Sequence, residues 1–514
     1  METPEENGKP APEFSAYDVI VVGAGFSGTL VGVHLARNAP GLRVLLMDRI
    51  APHGPGVAYR TRSRRLLMNV RAANLSALPD QPDHFVRWLR MRDRQLHERG
   101  VFDLGADAFV PRFVYGAYLR ELLRDARARH PGLSLLATQA AKLRFDRERI
   151  AVETKIGAVF SASRVVLALG NFSPRPPAAM QASAAEAPGY LDAPWSGDVA
   201  ERIPRNAEVL VLGSGLTALD ALAELHDKRF EGRVHVLSRR GLLPLAHEKF
   251  QADPDRFRDA AFPCNARGMV RWVRSEARMA SSEGLDWRAV VDALRPRTQE
   301  IWRSWSDEDR RRFARHARAY WEIHRHRAPP EVAAIPSLMM QDGRLVQHRG
   351  RAISIRWSDG AFQADIVERG GRQVRLRVGF IVNCTGPEAD VSKVKDPFLP
   401  SILADGFARP DPLGLGLLTA RDGAVINDAG RPSRHLYALG NLRRGTLLES
   451  TAIPELRVQA RDLADQIIVS MRREFGSSVE GVSAAEWAIA RDLPCPPGVP
   501  EHWSCPGRGL DFKG

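Results

Sequence analysis

The sequence predicts an α/β protein with two Rossmann-like dinucleotide-binding domains, the second carrying a helical insertion. Three observations carry that prediction. A glycine-rich turn, Gly23-Ala-Gly-Phe-Ser-Gly28, stands between an apolar run and an Ala/Leu-rich stretch. A second turn, Gly213-Ser-Gly-Leu-Thr-Ala218, repeats the arrangement in mid-chain. Between Leu237 and the strand-like runs near Arg351 lies a long region rich in Arg and Trp, with apolar residues at helical spacing.

The first unit opens with Tyr17-Asp-Val-Ile-Val-Val22, a short β-branched run that reads as a buried strand. Gly23 makes the tight turn, Gly25 lets a pyrophosphate touch the backbone, and Gly28 lets the helix pack on the strand. Phe26 and Ser27 sit at the helix start, where free N–H groups and the dipole attract phosphate. Leu42 to Met47 is the second strand. Asp48 at its end is placed for ribose hydroxyls, with Arg49 beside it. Val165-Val-Leu-Ala-Leu-Gly170 is a further strand ending in glycine. The Pro-rich run Asn171 to Pro177 should lead out of the first domain.

In the second unit, Glu208 to Leu212 is a strand, Gly213, Ser214, Gly215 and Thr217 belong to the turn, and a helix runs to about Leu225. Arg233 to Leu237 is the next strand. It ends in Ser238-Arg239-Arg240 where the first unit has Asp48. A carboxylate there would take a 2′-hydroxyl, whereas arginine accommodates a 2′-phosphate, so NADPH is expected over NADH. Two such units in one chain predict FAD at the first and the nicotinamide at the second.

Gln251 to Arg327 reads as helical. Ser306-Asp-Glu-Asp309 resembles a capping box ahead of a helix from Arg310 to Ile323, which Pro329-Pro330 should stop. Ile381-Val-Asn-Cys-Thr-Gly386 echoes the Gly170 strand and is expected to re-enter the first domain, placing Gly386 near FAD. Leu436 to Asn441 is a strand ending at Gly440. The helix that starts near Pro454 could hold the flavin's pyrimidine end, which gains negative charge on reduction, through Thr451 and Ile453. The expected layout is an N-terminal disordered segment over 1–16, an FAD domain over 17–200 and 380–470, and an NADPH domain over 205–250 and 335–380. A helical insertion covers 251–334 and a C-terminal extension 471–514.

At 514 residues, the chain exceeds one hydrophobic core, and 44% apolar content is ordinary for a globular protein. The net charge of +13 comes mainly from scattered arginine. Without a basic tail or nucleic-acid motif, it reads as solvated surface plus pockets for anionic cofactors, and no nucleic-acid partner is expected. Cys264, Cys384, Cys495 and Cys505 form no C-x-x-C pair, which speaks for a reducing, cytoplasmic setting and against a redox dithiol. The apolar tract from Tyr17 to Leu35 is broken by glycines, so neither a transmembrane span nor a membrane partner is expected. The cluster His316, Trp321, His324, Arg325, His326 and Arg327 does not predict a metal site, because its arginines repel cations. Trp321, Arg325 and Arg327 are instead candidates for contact with a small-molecule substrate, beside the alternative of a structural helix with a basic face.

A spaced set of motifs resembles the bacterial FAD/NAD(P)-binding oxidoreductases. The set comprises Gly23–Gly28, Gly56-Val-Ala-Tyr59, Leu67-Met-Asn69-Val70, Pro111-Arg112, Gly213–Asp220, Ser238–Gly241, Trp302, His324–Arg327, Asn383–Gly386 and Glu449–Arg457. It runs from about Tyr17 to Ala460, and its organisation is similar to that of N-hydroxylating flavoprotein monooxygenases. The resemblance implies that Met68 and Asn69 approach the flavin ring, as candidate catalytic residues. Gly189-Tyr-Leu-Asp-Ala-Pro-Trp195 lacks the histidine that Baeyer–Villiger and dimethylaniline monooxygenases carry between their two units, which sets those subclasses aside.

The function implied is hydride transfer from NADPH to FAD, then oxygenation of a small polar substrate through a C4a-hydroperoxyflavin, with an amine nitrogen as one candidate target. An NADPH-dependent reductase or dehydrogenase without oxygen insertion is the rival. A redox sensor that holds FAD without turnover is the third reading.

Overall fold

The computed structural model describes residues 15–476 except 52, 147, 193, 196 and 197. The expected disordered lead-in lies outside them up to residue 14, as do Cys495, Cys505 and the late helix expected at Ser483 to Glu486. Two compact units divide the chain, Met1–Asp465 and Gln466–Gly514. Both sheets lie in the first. The described part of the second continues the helix Ile453–Gly476.

One sheet has Ser15–Val22 at its centre, parallel to Val44–Asp48 on one side and Val159–Leu167 on the other. The order runs from Ala424–Ile426 and Pro432–Ala438 through these to Leu133–Ala137, and the antiparallel pair Ala140–Asp146 and Arg149–Thr154 branches from Val159–Leu167. Val19 to Val22 and Val44 to Met47 are buried throughout, as expected of parallel strands covered on both faces. Ile20, Val22, Leu45 and Met47 pack with Phe398, Leu399 and Ile402. The helix Phe26–Asn38 contacts the helix Arg112–Arg129. Its Phe26 ring sits against Tyr59 and Tyr115.

The second sheet runs Gln373–Val378, Ala361–Glu368, Leu345–Ser358, Val234–Ser238, Val209–Leu212, Phe380–Asn383, Tyr190–Leu191. Helices Leu216–Asp227 and Pro330–Gln341 contact each other and share a core with Val209, Val211, Val234 and Val236. Leu210, Leu212 and Leu237 pack with Ile355, Phe362 and Ile366 of the antiparallel strands.

Four expectations change. Phe380–Asn383 belongs to this second sheet, parallel to Val209–Leu212, and does not re-enter the first domain. Its echo of the Gly170 strand has a physical reason, since each is the strand beside the opening strand of its own unit. Return to the first core comes later, with Val391, Val394 and Phe398. The exit comes earlier than residue 200, because Met180 bridges to Ile355 and Ala184, Ala187 and Tyr190 lie in the second core. The Pro-rich run thus does lead out. Pro330 opens a helix instead of closing one, its lost N–H costing nothing at the first position, and that helix belongs to the sheet. Finally, the expected helix Arg310 to Ile323 is two, Asp307–His316 and Arg318–Arg325, with Ser306 capping the first through the amide of Asp309 at 3.2 Å.

The insertion therefore occupies the crossover between the parallel neighbours Val234–Ser238 and Leu345–Ser358. It has its own core of Phe257, Met269, Val290, Trp302, Trp305 and Phe313, against which Leu413, Leu415 and Leu448 of the first domain pack. Trp302 Nε1 donates to the carbonyl of Gly445 at 2.8 Å. Among the described residues, no helix is long and apolar enough to cross a membrane.

Candidate nucleotide and substrate cleft

Each glycine turn leaves its strand in a conformation that an L side chain rarely adopts, with φ of 104° at Gly23 and 100° at Gly213. Each is also covered closely. A Cβ would lie 2.2 Å from the carbonyl oxygen of Ala168 at Gly23, and 2.3 Å from that of Cys384 at Gly213. The helices that follow, Phe26–Asn38 and Leu216–Asp227, begin at Gly25 and Gly215 with no side-chain cap. Their first turns present N–H groups to a ligand, which suits a pyrophosphate at both places. Phe26 contributes backbone only, because its ring is buried.

Asp48 closes the first turn. Its Oδ2 accepts from the amide of Ala24 at 2.8 Å and its Oδ1 from that of Ile50 at 2.9 Å, which aims the carboxylate across the strand ends. Arg49 beside it is exposed. Gly440, with φ of 72°, approaches Ser27, whose Oγ lies 3.4 Å from where a Cβ would stand. Asn441 next to it is buried, and its Oδ1 has no hydrogen-bond partner among the described residues. An orphaned buried acceptor in this position fits a ligand that supplies a donor. Gly170 faces open space at the end of its strand. These are the residues expected at the FAD end, and among them Asp48 reaches Ala24 and Gly440 approaches Ser27.

All of the remaining predicted residues except Arg325 and Arg327 meet in a cavity of about 830 Å³. Gly213, Ser214, Gly215, Thr217, Ser238, Arg239, Arg240 and Gly386 line it from the second domain. Met68, Asn69, Thr451 and Ile453 line it from the first, and Trp321 and His326 from the insertion. Gly386, expected near FAD, thus stands on the nicotinamide side. Ser214 Oγ donates to the carbonyl of Leu242 at 2.6 Å, and Ser238 Oγ accepts from the amide of Gly241 at 3.0 Å. Arg240 is held by the carbonyl of Arg315 at 2.8 Å and lies over the Tyr320 ring. Arg239 is exposed and, among the described residues, unpaired, so it is the freer of the two for a 2′-phosphate. Another cavity, of about 820 Å³ and lined by Arg65, Arg205, His226 and Arg344, includes none of the predicted residues.

Asn69 is held through its backbone, whose carbonyl accepts from His247 Nε2 at 3.0 Å. Burial keeps that imidazole neutral, with its pKa lowered to about 4. The Asn69 side chain makes no hydrogen bond among the described residues and is available to the cavity. Arg112 fixes the same segment. Its Nε donates to the carbonyl of Leu67 at 3.1 Å, and its guanidinium pairs with Asp220 of the second domain at 2.8 Å. Burial raises the Asp220 carboxyl, against the pull of Arg112.

Arg325 and Arg327 correct the expectation of substrate contact. Both are buried, and neither lines the cavity. Arg325 pairs with Glu455 at 2.8 Å and Glu449 at 3.5 Å, and Arg327 with Asp292 at 2.6 Å. A guanidinium removed from water needs such acceptors, so Arg327 braces the insertion internally and Arg325 ties it to the first domain. Trp321 does reach the cavity, donating to Glu449 Oε1 at 3.2 Å. His326, also in the lining, is lowered to about 3 by burial and by Arg325. Sequence reasoning passed over Arg351 and Arg444 in the same cavity. The only signal for Arg444 was its place just after the run Leu436 to Asn441, between Gly440 and Gly445.

Cys384 lines the cavity as a free thiol, its pKa pushed up by burial. No second cysteine stands there among the described residues. The same residues contain no cluster of three or more His, Cys, Asp or Glu that could hold a metal.

Residues 20–172 match the family model described as FAD-NAD(P)-binding. No curated protein matches the chain. Among solved structures, ornithine N-hydroxylase from Kutzneria sp. 744 is similar with a TM-score of 0.61 at 16% identity, over 89% of this chain and 100% of that one. L-Lysine 6-monooxygenase from Pseudomonas syringae gives 0.61 at 18% identity, over 88% and 99%. Bacillithiol disulfide reductase from Staphylococcus aureus gives 0.53 at 11% identity, over 89% and 99%. At such identities the likeness concerns the fold, two dinucleotide domains in one chain. Residues 20–172 therefore match an FAD-NAD(P)-binding family model, in a chain whose fold is similar to that of these solved enzymes.

Proposed function

We propose that this chain is an FAD- and NADPH-dependent oxidoreductase that oxygenates a small polar substrate, with an amine nitrogen as one candidate target. One observation carries the reading. The uncapped turn Gly213–Thr217, the strand-end Arg239, and Met68, Asn69, Thr451 and Ile453 of the first domain all line a single cavity. Bound FAD would take hydride from NADPH and, once reduced, activate dioxygen. The chain's own residues hold and screen. The second turn takes the pyrophosphate through its amides, and Arg239 meets the 2′-phosphate. Asn69 offers an amide donor. Trp321, Leu448 and Ile453 exclude water, which a monooxygenase needs more than a reductase does.

The lone buried thiol of Cys384 argues against relay of electrons through a cysteine pair. Free Cys264 and Cys384 also fit a reducing, cytoplasmic setting. The test is stopped-flow reoxidation of the NADPH-reduced protein with dioxygen. A transient flavin spectrum distinct from the oxidised and reduced forms supports oxygenation. Direct return to oxidised flavin, with one hydrogen peroxide per NADPH under every substrate tried, refutes it and favours the reductase.

A further inference from the structure

Six arginines line the cleft, and their acceptors sort them. Arg112 is paired with Asp220, Arg318 with Glu322 at 2.6 Å, and Arg240 is taken by a backbone carbonyl. Arg239, just past the strand Val234–Ser238, and Arg351, within the strand Leu345–Ser358, are exposed on the second domain and suited to a nucleotide phosphate. Arg444 is the remaining one. It follows the short helical turn Gly440–Arg443 of the first domain and is half-buried. It makes no side-chain hydrogen bond or ion pair among the described residues.

A half-buried guanidinium without a protein acceptor attracts an anion more strongly than one in open solvent. Burial, reinforced by Arg318, lowers this one to about 10. The two carboxylates that act on it, Glu322 and Glu449, are both engaged. Glu322 holds Arg318, while Glu449 accepts from Trp321 and faces Arg325. Arg444 thus turns an unused planar fork of donors to the cavity, with apolar Leu448 in the same lining. One free guanidinium beside two carboxylates suits a monoanion better than a doubly charged phosphate.

We propose that Arg444 is the substrate's anchor, binding the carboxylate of a small carboxylic acid on the first-domain wall of the cleft. This rests on the reading above only in that the cleft admits a substrate.

The test uses the oxidised FAD holoprotein and follows the flavin absorbance during titration with hexanoate, hexylamine, inorganic phosphate and NADP⁺. Hexanoate should perturb the flavin saturably and hexylamine should not. Arg444→Gln should raise the hexanoate Kd at least about tenfold, since a charged hydrogen-bonded pair is lost. Arg444→Lys should fall between, and NADP⁺ affinity should stay within about twofold. Flavin content and melting temperature confirm that both variants fold, and Arg444→Lys keeps the test alive if the other does not. Failure of hexanoate to bind, equal hexanoate affinity in both variants, or tighter binding of phosphate overturns the proposal. A parallel loss of NADP⁺ affinity overturns it too, by assigning Arg444 to the dinucleotide. Because binding is read on oxidised flavin, a negative oxygenation result leaves this measurement standing, and the two failures are distinguishable.

Discussion

Replacing Arg325 with alanine should destabilise the protein, a sharper outcome than its basic character suggests. Its side chain is 6% exposed and stands between Glu455 at 2.8 Å and Glu449 at 3.5 Å. Removal leaves two buried carboxylates short of a cation. Breaking a buried pair from one side costs about 3–5 kcal/mol. Here Glu455 keeps Arg295 at 3.0 Å and Glu449 keeps the indole of Trp321, so the loss should fall near the lower end, about 3 kcal/mol. Urea titration of the holoprotein, followed by tryptophan fluorescence, measures it. Glu449→Gln in the Arg325→Ala background should recover part of the loss, because one unpaired charge is then removed. An Arg325→Ala protein of unchanged stability but with substrate KM raised several-fold would refute this assignment and restore Arg325 as a substrate contact.

Gly25→Val should abolish flavin binding, since even its Cβ would stand 3.3 Å from Gly56 Cα, and the flavin-to-protein ratio after purification checks this. Arg239→Ala should raise the NADPH KM at least about tenfold while changing NADH use little, since a charge-assisted bond contributes about 1.5–3 kcal/mol. Equal use of both nucleotides by the unaltered protein would count against it. Glu224 is buried, and burial, reinforced by Asp220, raises its pKa to about 7 against the pull of the Ala200 and Val199 amides. The folded state thus holds this proton more tightly than the unfolded chain. The associated stability is complete below pH about 4.5 and is lost as pH rises toward 7, by up to about 3 kcal/mol. Glu224→Gln should flatten that slope in urea titrations at pH 5 and pH 7.5, and an unchanged slope would exclude Glu224 as its source.

The two glycine turns were legible because backbone geometry leaves few residues a choice. Only glycine tolerates φ near 100° under a carbonyl little more than 2 Å from a Cβ, so Gly23 and Gly213 mark their turns in any context. Buried parallel strands were legible for a related reason, since both faces must be apolar. Domain membership was not. The runs ending at Gly170 and Gly386 look alike because each lies beside its own opening strand, and nothing local says which sheet holds which. Pairing of Phe380–Asn383 with Val209–Leu212 is a long-range fact. The helix break at Ala317 was hidden for the opposite reason, because Arg318 to Arg325 continues the helical composition without a glycine or proline.

Arginine shows why the site was less legible than the fold. Arg239, Arg325, Arg327 and Arg444 are the same letter in basic stretches, and the chain's excess of positive charge distinguishes none of them. What separates them is the number of acceptors each meets after folding. Arg327 gives its Nη2 to both oxygens of Asp292 and lies over the rings of Phe250 and Trp287, away from the cavity lining. Arg325 is shared between two glutamates that come from the first domain, more than a hundred residues away. Arg239 meets no acceptor but stays in water, where its charge is inexpensive and its pull on a phosphate is screened. Arg444 alone among these four is both half-buried and without an acceptor among the described residues, and that combination strengthens its attraction for an anion in the cavity. Clustering of basic residues in the sequence pointed to the insertion. Counting acceptors in the folded chain moves the expected anion contact to the opposite wall of the same cleft.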